Sequence, residues 1–183
     1  MNKKFGIKEV VAIGIGTALF VALTQVQIPI GIPNTYLQPR MAVLAFLAAI
    51  FGPVVGGVVG FLGHALGDAI FYGSIWWSWV FPEIIVGAGI GLFASKFAVK
   101  VGGVTVSKAI TFNIVQVLSN VIAWIVVAPV LDILIYAEPV NKVFIQGAFA
   151  ALGNVLIIGI LGTVLLLGYS KVGAKSSSLT KED

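Results

Sequence analysis

Long apolar runs leave this chain few possible folds. Val10–Ile28 and the stretches that follow Arg40, Lys108 and Lys142 are almost unbroken Val, Ile, Leu, Phe, Ala and Gly. Several of them reach or pass the roughly 18–20 residues that carry an α-helix across a bilayer. Only 10% of the 183 residues are charged and 59% are hydrophobic, whereas a soluble domain draws on roughly 25% charged residues. An all-α integral membrane protein is expected, with residues 1–183 forming one transmembrane domain and the lipid bilayer as its solvent. The first run exceeds the roughly 7–15 apolar residues of a cleavable signal peptide, and no small-residue cleavage site follows it. The chain has no cysteine, which excludes disulfides, thiolate metal sites and lipidated cysteines. Its formal charge of +4 points to no nucleic-acid partner, because in a membrane chain the placement of the lysines matters more than their sum.

Six helices are expected, at about 9–29, 39–51, 53–71, 77–98, 107–132 and 141–169. The second is short: at about 1.5 Å per residue, Met41–Phe51 reaches roughly half of a 30 Å hydrocarbon core. Fusing 41–71 into one broken helix would give five spans instead. Charge separates the alternatives. With six spans and a cytoplasmic N-terminus, Lys3, Lys4, Lys8, Lys96, Lys100, Lys108, Lys171, Lys175 and Lys181 lie inside, and only Arg40 and Lys142 face out. Five spans would move the basic clusters at 96–108 and 171–181 outside. The positive-inside rule selects six, with both termini cytoplasmic. Gly52-Pro53 then forms the inner turn, since proline lacks the N–H that continues a helix. Outward loops are expected at 29–38, 72–76 and 133–140, and the tail "KVGAKSSSLTKED" as a solvated, frayed end.

The costly polar groups gather in "GHALGDAIFYGSIWWSWVFPE", which holds the only histidine and three of the four tryptophans. His64 and Asp68 are four residues apart on one helix face. A charge at mid-membrane costs about 2.5–3.5 kcal/mol or more, so they form either a structural hydrogen-bonded pair or part of a cavity wall. Glu83 shares a face with Trp79 at i−4, and is either a snorkelling headgroup-level acid or a cavity acid. Trp76, Trp77 and Trp79 suit an interfacial belt, but successive helical residues point about 100° apart, so one or two of them turn inward. Asn113, Gln116, Asn120 and Trp124 draw one stripe along the fifth helix. The first two suit glue between helices, and Asn120 and Trp124 suit a cavity. Gln146, Ala150 and Asn154 on the sixth helix are spaced to face that stripe. Neutral amides beside aromatics fit a small planar heteroaromatic molecule. On the first helix, Gly14, Ala18 and Ala22 make overlapping small-xxx-small steps for close helix approach, within the chain or toward a partner. Gly56, Gly60 and Gly63 on the third helix suit close internal packing.

No G-x-x-x-x-G-K-[ST] loop occurs, so the chain is not expected to hydrolyse ATP itself. "GAGIGLF" at 87–93 lies inside a span with no soluble helix after it. H-E-x-x-H and G-x-S-x-G are absent, and a lone histidine makes a poor metal site. No catalytic residue, metal or cofactor is expected, and an enzyme is disfavoured. A stand-alone proton-coupled secondary transporter, with His64, Asp68 and Glu83 as its relay, remains the alternative.

The length, the six spans, the basic cytoplasmic side, the proline-bearing loop "QIPIGIPNTYLQP" before a short second helix, and the glycine-rich "GFLGHALGDAIF" resemble one known group. It comprises the substrate-binding S components of energy-coupling factor (ECF) vitamin transporters, of the riboflavin-transporter type with UPF0397-like members. The resemblance spans residues 5–170. It implies a capture subunit in the bacterial cytoplasmic membrane that binds a water-soluble vitamin or precursor from outside. A transmembrane T component and two cytoplasmic ATPases, which use the ATP, would be its partners. It further implies that the loop carrying Asn34 and Tyr36 lids the pocket. Arg40, His64, Asp68, Trp79, Glu83, Asn120, Trp124, Gln146 and Asn154 would contribute contacts, and Gly14, Ala18 and Ala22 would dock the T component. Arg40 is the sole outer arginine, which argues against a carboxylate-rich vitamin. Hydroxymethylpyrimidine or a pyridoxine-like compound is favoured and riboflavin follows, with the acids selecting a protonated ring and Trp79 or Trp124 stacking on it.

Overall fold

In the computed structural model, residues 6–97, 99 and 103–179 are described, with 173–179 by backbone alone. Lys3, Lys4, Lys100 and Lys181, and the side chain of Lys175, lie outside the described residues. The chain is mostly helical. Its elements are α1 (Ile7–Ala22), β1 (Ile28–Pro29), β2 (Tyr36–Leu37), α2 (Arg40–Phe51), α3 (Pro53–Phe71), α4 (Trp77–Leu92), α5 (Ala94–Phe97), α6 (Val106–Asn120), α7 (Ala128–Tyr136), α8 (Val140–Ile157) and α9 (Thr163–Leu179). A 3₁₀ turn, Leu23–Gln25, extends α1. Two wider π-helical stretches, Val121–Val127 and Ile158–Gly162, join α6 to α7 and α8 to α9. Among the described residues, four continuous helices are therefore long and apolar enough to cross a membrane: Ile7–Gln25, Pro53–Phe71, Val106–Tyr136 and Val140–Val172. Arg40–Phe51 and Trp77–Leu92 are apolar but shorter.

Several boundaries differ from those read in the sequence. The first helix stops at Gln25, not 29, because Val26 leaves helical geometry and Pro29 pairs with Tyr36 in a short antiparallel hairpin. The residue before a proline is also pushed toward extended backbone. The fourth helix ends at Leu92 and restarts as α5 after a turn at Phe93. The outer loop expected at 133–140 shrinks to the few residues between Tyr136 and Val140, and the tail continues as helix to Leu179. At Gly52 a φ of +97° breaks the chain between α2 and α3 where the Gly-Pro pair predicted a turn, a backbone state that glycine enters without penalty.

Small residues set the packing. A Cβ on Gly56 would run into the Gly87 carbonyl and Ala48, and one on Gly60 would lie 2.6 Å from the Glu83 carbonyl oxygen. α3 and α4 thus touch backbone to backbone, while Gly63 receives the Phe20 ring of α1. α2 threads the middle of the bundle, burying Met41, Leu44, Ala45, Ala48 and Ala49 against α1, α3, α4 and Ile158–Gly162. Outward faces keep large apolar side chains exposed, such as Ile15, Leu19, Ile114, Leu118, Leu152 and Val164. Lipid covers such a surface without cost, whereas water would not. On α1 the inward residues are Ala12, Gly16, Thr17 and Phe20. Gly14, Ala18 and Ala22 are exposed, and nothing lies within 4 Å of where a Gly14 Cβ would be. Among the described residues, that stripe is left uncovered.

Candidate functional site

One end of the bundle is hollow. The end of α1, the β1–β2 hairpin, the start of α2, the end of α3, the start of α4, the end of α7 and the start of α8 converge there, around a cavity of about 310 Å³. Asn34, Tyr36, Arg40, His64, Asp68, Trp79, Glu83, Trp124, Gln146 and Asn154 all line it. Asn120 does not. It is fully buried, and its amide nitrogen donates to the Gln116 carbonyl at 2.8 Å and to Gln116 Oε1 at 3.3 Å. Asn120, whose Oδ1 has no hydrogen-bond partner among the described residues, adjoins the polar seam in which Asn113 donates to Thr163 Oγ1 (3.0 Å) and Gln116 to the Val155 carbonyl (3.3 Å). Those bonds tie α6 to the last long helix, so the seam is interhelical glue.

The roof is the hairpin. Gly31 and Asn34 have φ of +83° and +56°, values that glycine and asparagine tolerate best. The Gln146 amide of α8 donates to the Pro33 carbonyl at 2.8 Å, and Gln27 reaches both the Thr24 carbonyl and the Tyr72 hydroxyl. Arg40, 5% exposed, donates from Nε to Gln38 Oε1 (2.8 Å) and from NH1 to Thr24 Oγ1 (3.2 Å), and lies 4.7 Å over the Phe20 ring. Its guanidinium ties the hairpin's exit to α1 as well as facing the cavity.

The floor is acidic and under-satisfied. His64 lies between two carboxylates, with Nε2 3.5 Å from Asp68 Oδ1 and Nδ1 3.4 Å from Glu83 Oε1. Asp68 also accepts the Trp76 backbone N–H at 3.0 Å, which pins the α3–α4 turn. Neither oxygen of Glu83, itself 0% exposed, has a hydrogen-bond partner, and the Glu83–His64 approach is not aligned for one. The Trp124 indole N–H is likewise buried and unpartnered. Buried polar groups normally find partners, and a buried carboxylate without a hydrogen bond is a costly exception even beside a histidine. Facing inward from one cavity, these atoms form a ready set of contacts for a ligand that brings hydrogen-bond donors and an acceptor.

The aromatics divide by direction. Trp77 stacks with Phe61 and Phe81 on the outer surface, 38% exposed. Trp76 sits on the rim, stacked on Tyr136 at 4.1 Å. Trp79 turns inward, edge-on to Trp124 at 5.3 Å. Asp132, which no sequence motif marked, accepts both the Trp76 and the Trp79 indole N–H groups at 2.8 Å. It escaped notice because it is a lone acid on an apolar helix, with its partners more than fifty residues away in sequence. Glu138 and Lys142, also in the lining, pair with each other at 2.6 Å. Among the lining residues, the charges left over are Arg40 against Asp68, Glu83 and Asp132. No group of three or more His, Cys, Asp or Glu residues suited to a metal ion occurs among the described residues.

The sequence pattern described as "ECF-type riboflavin transporter, S component" matches residues 4–171. A UPF0397 protein of Exiguobacterium sp. is 52% identical over 179 residues, covering 97% of this chain and 98% of the relative. One from Lactobacillus gasseri is 51% identical over 185 residues, covering 100% of both chains. A third, from Clostridium perfringens, is 46% identical over 182 residues, 99% of this chain and 98% of its own. Helices fit to cross a membrane several times, one polar cavity at the bundle's end and a match over nearly the whole length agree: this chain belongs to the family of ECF-type riboflavin transporter S components.

Proposed function

We propose that the chain is the substrate-capture subunit of an ECF-type importer and that its ligand is a small, planar, nitrogen-bearing heterocycle. Hydroxymethylpyrimidine or a pyridoxine-like compound fits ahead of riboflavin. The observation that carries this reading is the orphaned Glu83 carboxylate, 0% exposed on the floor of an aromatic-walled cavity. A carboxylate accepts two parallel hydrogen bonds. An aminopyrimidine edge offers them when its ring nitrogen is protonated, and the resulting cation offsets the carboxylate charge. Trp79 and Trp124 supply aromatic surface for the ring, and the unpartnered Trp124 N–H suits an acceptor on the ligand.

Six crossings, with both termini in the cytoplasm of a bacterial cell, follow from the lysine distribution. The short, apolar α2 and α4 count as spans in this reading. This orientation opens the cavity to the outside. Energy would come from a T component and two ATPases, in keeping with the missing phosphate-binding loop. The exposed stripe of Gly14, Ala18 and Ala22 is available to dock the T component.

Mass spectrometry of small molecules that copurify with the protein, followed by calorimetric titration, tests the reading. Hydroxymethylpyrimidine or pyridoxine should bind without ATP and more tightly than riboflavin. Tightest binding of riboflavin would overturn the substrate assignment. A second reading, a stand-alone proton-coupled carrier, draws on His64 standing between Asp68 and Glu83. It requires accumulation by this chain alone in proteoliposomes under a pH gradient, and the capture-subunit reading predicts none.

A further inference from the structure

Asp132 lies on α7, one turn beyond Pro129, and is 3% exposed. Its Oδ1 accepts from Trp76 Nε1 at 2.8 Å and from the Ser78 hydroxyl, and its Oδ2 accepts from Trp79 Nε1 at 2.8 Å. Three donors from the start of α4 thus converge on one side chain of another helix. Tyr136, one turn further along α7, stacks on Trp76 and accepts the Trp77 backbone N–H at 3.0 Å.

An indole has one polar hydrogen and no acceptor. Once that hydrogen is given to Asp132, Trp76 and Trp79 have nothing polar left for a ligand and can offer only ring surface. Trp124, edge-on to Trp79 with 71° between the rings, is the neighbour whose N–H stays unpartnered. Hydrogen bonds to an ionised acceptor are shorter and about twice as strong as neutral ones. A site's rotamers are only as fixed as the bonds that hold them.

We infer that Asp132 is a positioning residue of the ligand site: its carboxylate locks the ring planes of Trp76 and Trp79, so that these two stack while Trp124 donates. This rests on the reading of the cavity as a heterocycle site. The carboxylate is specifically required. An asparagine offers one acceptor oxygen, and its NH₂ would face an indole N–H, so one of the two rings must swing away.

The test compares wild type, Asp132→Asn, Trp79→Phe and the double variant in two measurements. One is near-ultraviolet circular dichroism of the ligand-free protein, and the other is calorimetric titration with hydroxymethylpyrimidine. Asp132→Asn is expected to alter the tryptophan bands without ligand and to weaken binding about tenfold or more. The double variant should bind measurably less weakly than the sum of the singles requires, because Asp132 acts through the Trp79 ring, and strict additivity overturns the inference. Unchanged tryptophan bands in Asp132→Asn overturn the inference. So does a lower melting temperature with unchanged affinity, which is what a purely structural tie between α4 and α7 produces. Should Asp132→Asn fail to fold, Asp132→Glu keeps the charge and displaces the carboxylate by one methylene. The same loss of affinity is expected of it, and unchanged affinity overturns the inference. If wild type does not bind hydroxymethylpyrimidine, the substrate reading fails by itself, and the ligand-free spectra still decide whether Asp132 sets the indole planes.

Discussion

Glu83 shows how much a single residue depends on its surroundings. In sequence it is an acid just after Pro82, suited to a headgroup layer and somewhat better, with Trp79 on its face, to a cavity. In the fold the Gly60 backbone presses against its carbonyl from α3 and leaves the side chain in a fully buried position with both oxygens unpartnered. Removing a charged hydrogen-bond acceptor from a ligand costs about 1.5–3 kcal/mol. Glu83→Gln keeps a polar neighbour beside His64, 3.4 Å away, and is expected to weaken ligand binding about tenfold or more. Calorimetric titration checks the loss. Trp124→Phe keeps an aromatic ring and removes the unpartnered N–H. It should lower ligand-free stability through the small cavity that the lost ring leaves and weaken binding by about 0.5–1.5 kcal/mol, the usual net value of a hydrogen bond, again by calorimetry.

At the scale of elements, the α3–α4 pair and the α7–α8 connection carry opposite lessons. Gly56 and Gly87 meet backbone to backbone, and a methyl group on Gly87 would collide with main-chain atoms of α3 that cannot rotate aside. Gly87→Ala is expected to destabilise the protein by about 1–3 kcal/mol or more, seen as a lower melting temperature and lower yield from the membrane. Ala137 ends α7 with a φ of +52°, a left-handed conformation that costs a non-glycine residue roughly 1–2 kcal/mol. Ala137→Gly should recover part of that, about 1 kcal/mol, with the cavity unchanged. The turn at Gly52-Pro53 was legible because glycine enters positive φ freely and proline fixes its own φ and lacks the N–H that continues a helix. The early end of the first helix was not, because it depends on Pro29 finding Tyr36 across a hairpin. The π-helical stretches were also invisible. One precedes Pro129, whose missing N–H cannot complete the helical ladder, and both sit where another helix comes close, at Gly147 and at Gly159.

For the whole molecule, the exposed apolar surface and the cavity divide the work. The outer faces of α1, α6, α8 and α9 meet lipid, and the cavity is confined to one end of the bundle. Gly14, Ala18 and Ala22 stand apart from both, exposed and away from the cavity lining. A bulky residue there should leave ligand capture alone and block close approach by another helix. Ala18→Trp is expected to abolish uptake in cells that hold the whole transporter while the purified chain keeps wild-type affinity. Loss of both activities would remove that face from the proposed docking role.

The sequence alone determined the membrane setting, the helical class and the family, because these rest on apolar run length, lysine placement and overall pattern, all properties of the linear chain. It also singled out ten of the twenty-one residues that line the cavity, since polar side chains in an apolar span are costly and rarely lack a role. Tertiary structure alone decided which way each of them points. It turned Trp79 inward and Trp77 outward, moved Asn120 from the cavity to the helix seam, and added Asp132. The physical reason is that direction is set by partners distant along the chain. The hydrogen bonds that aim two tryptophans of α4 end on an acid of α7, and no local spacing records them.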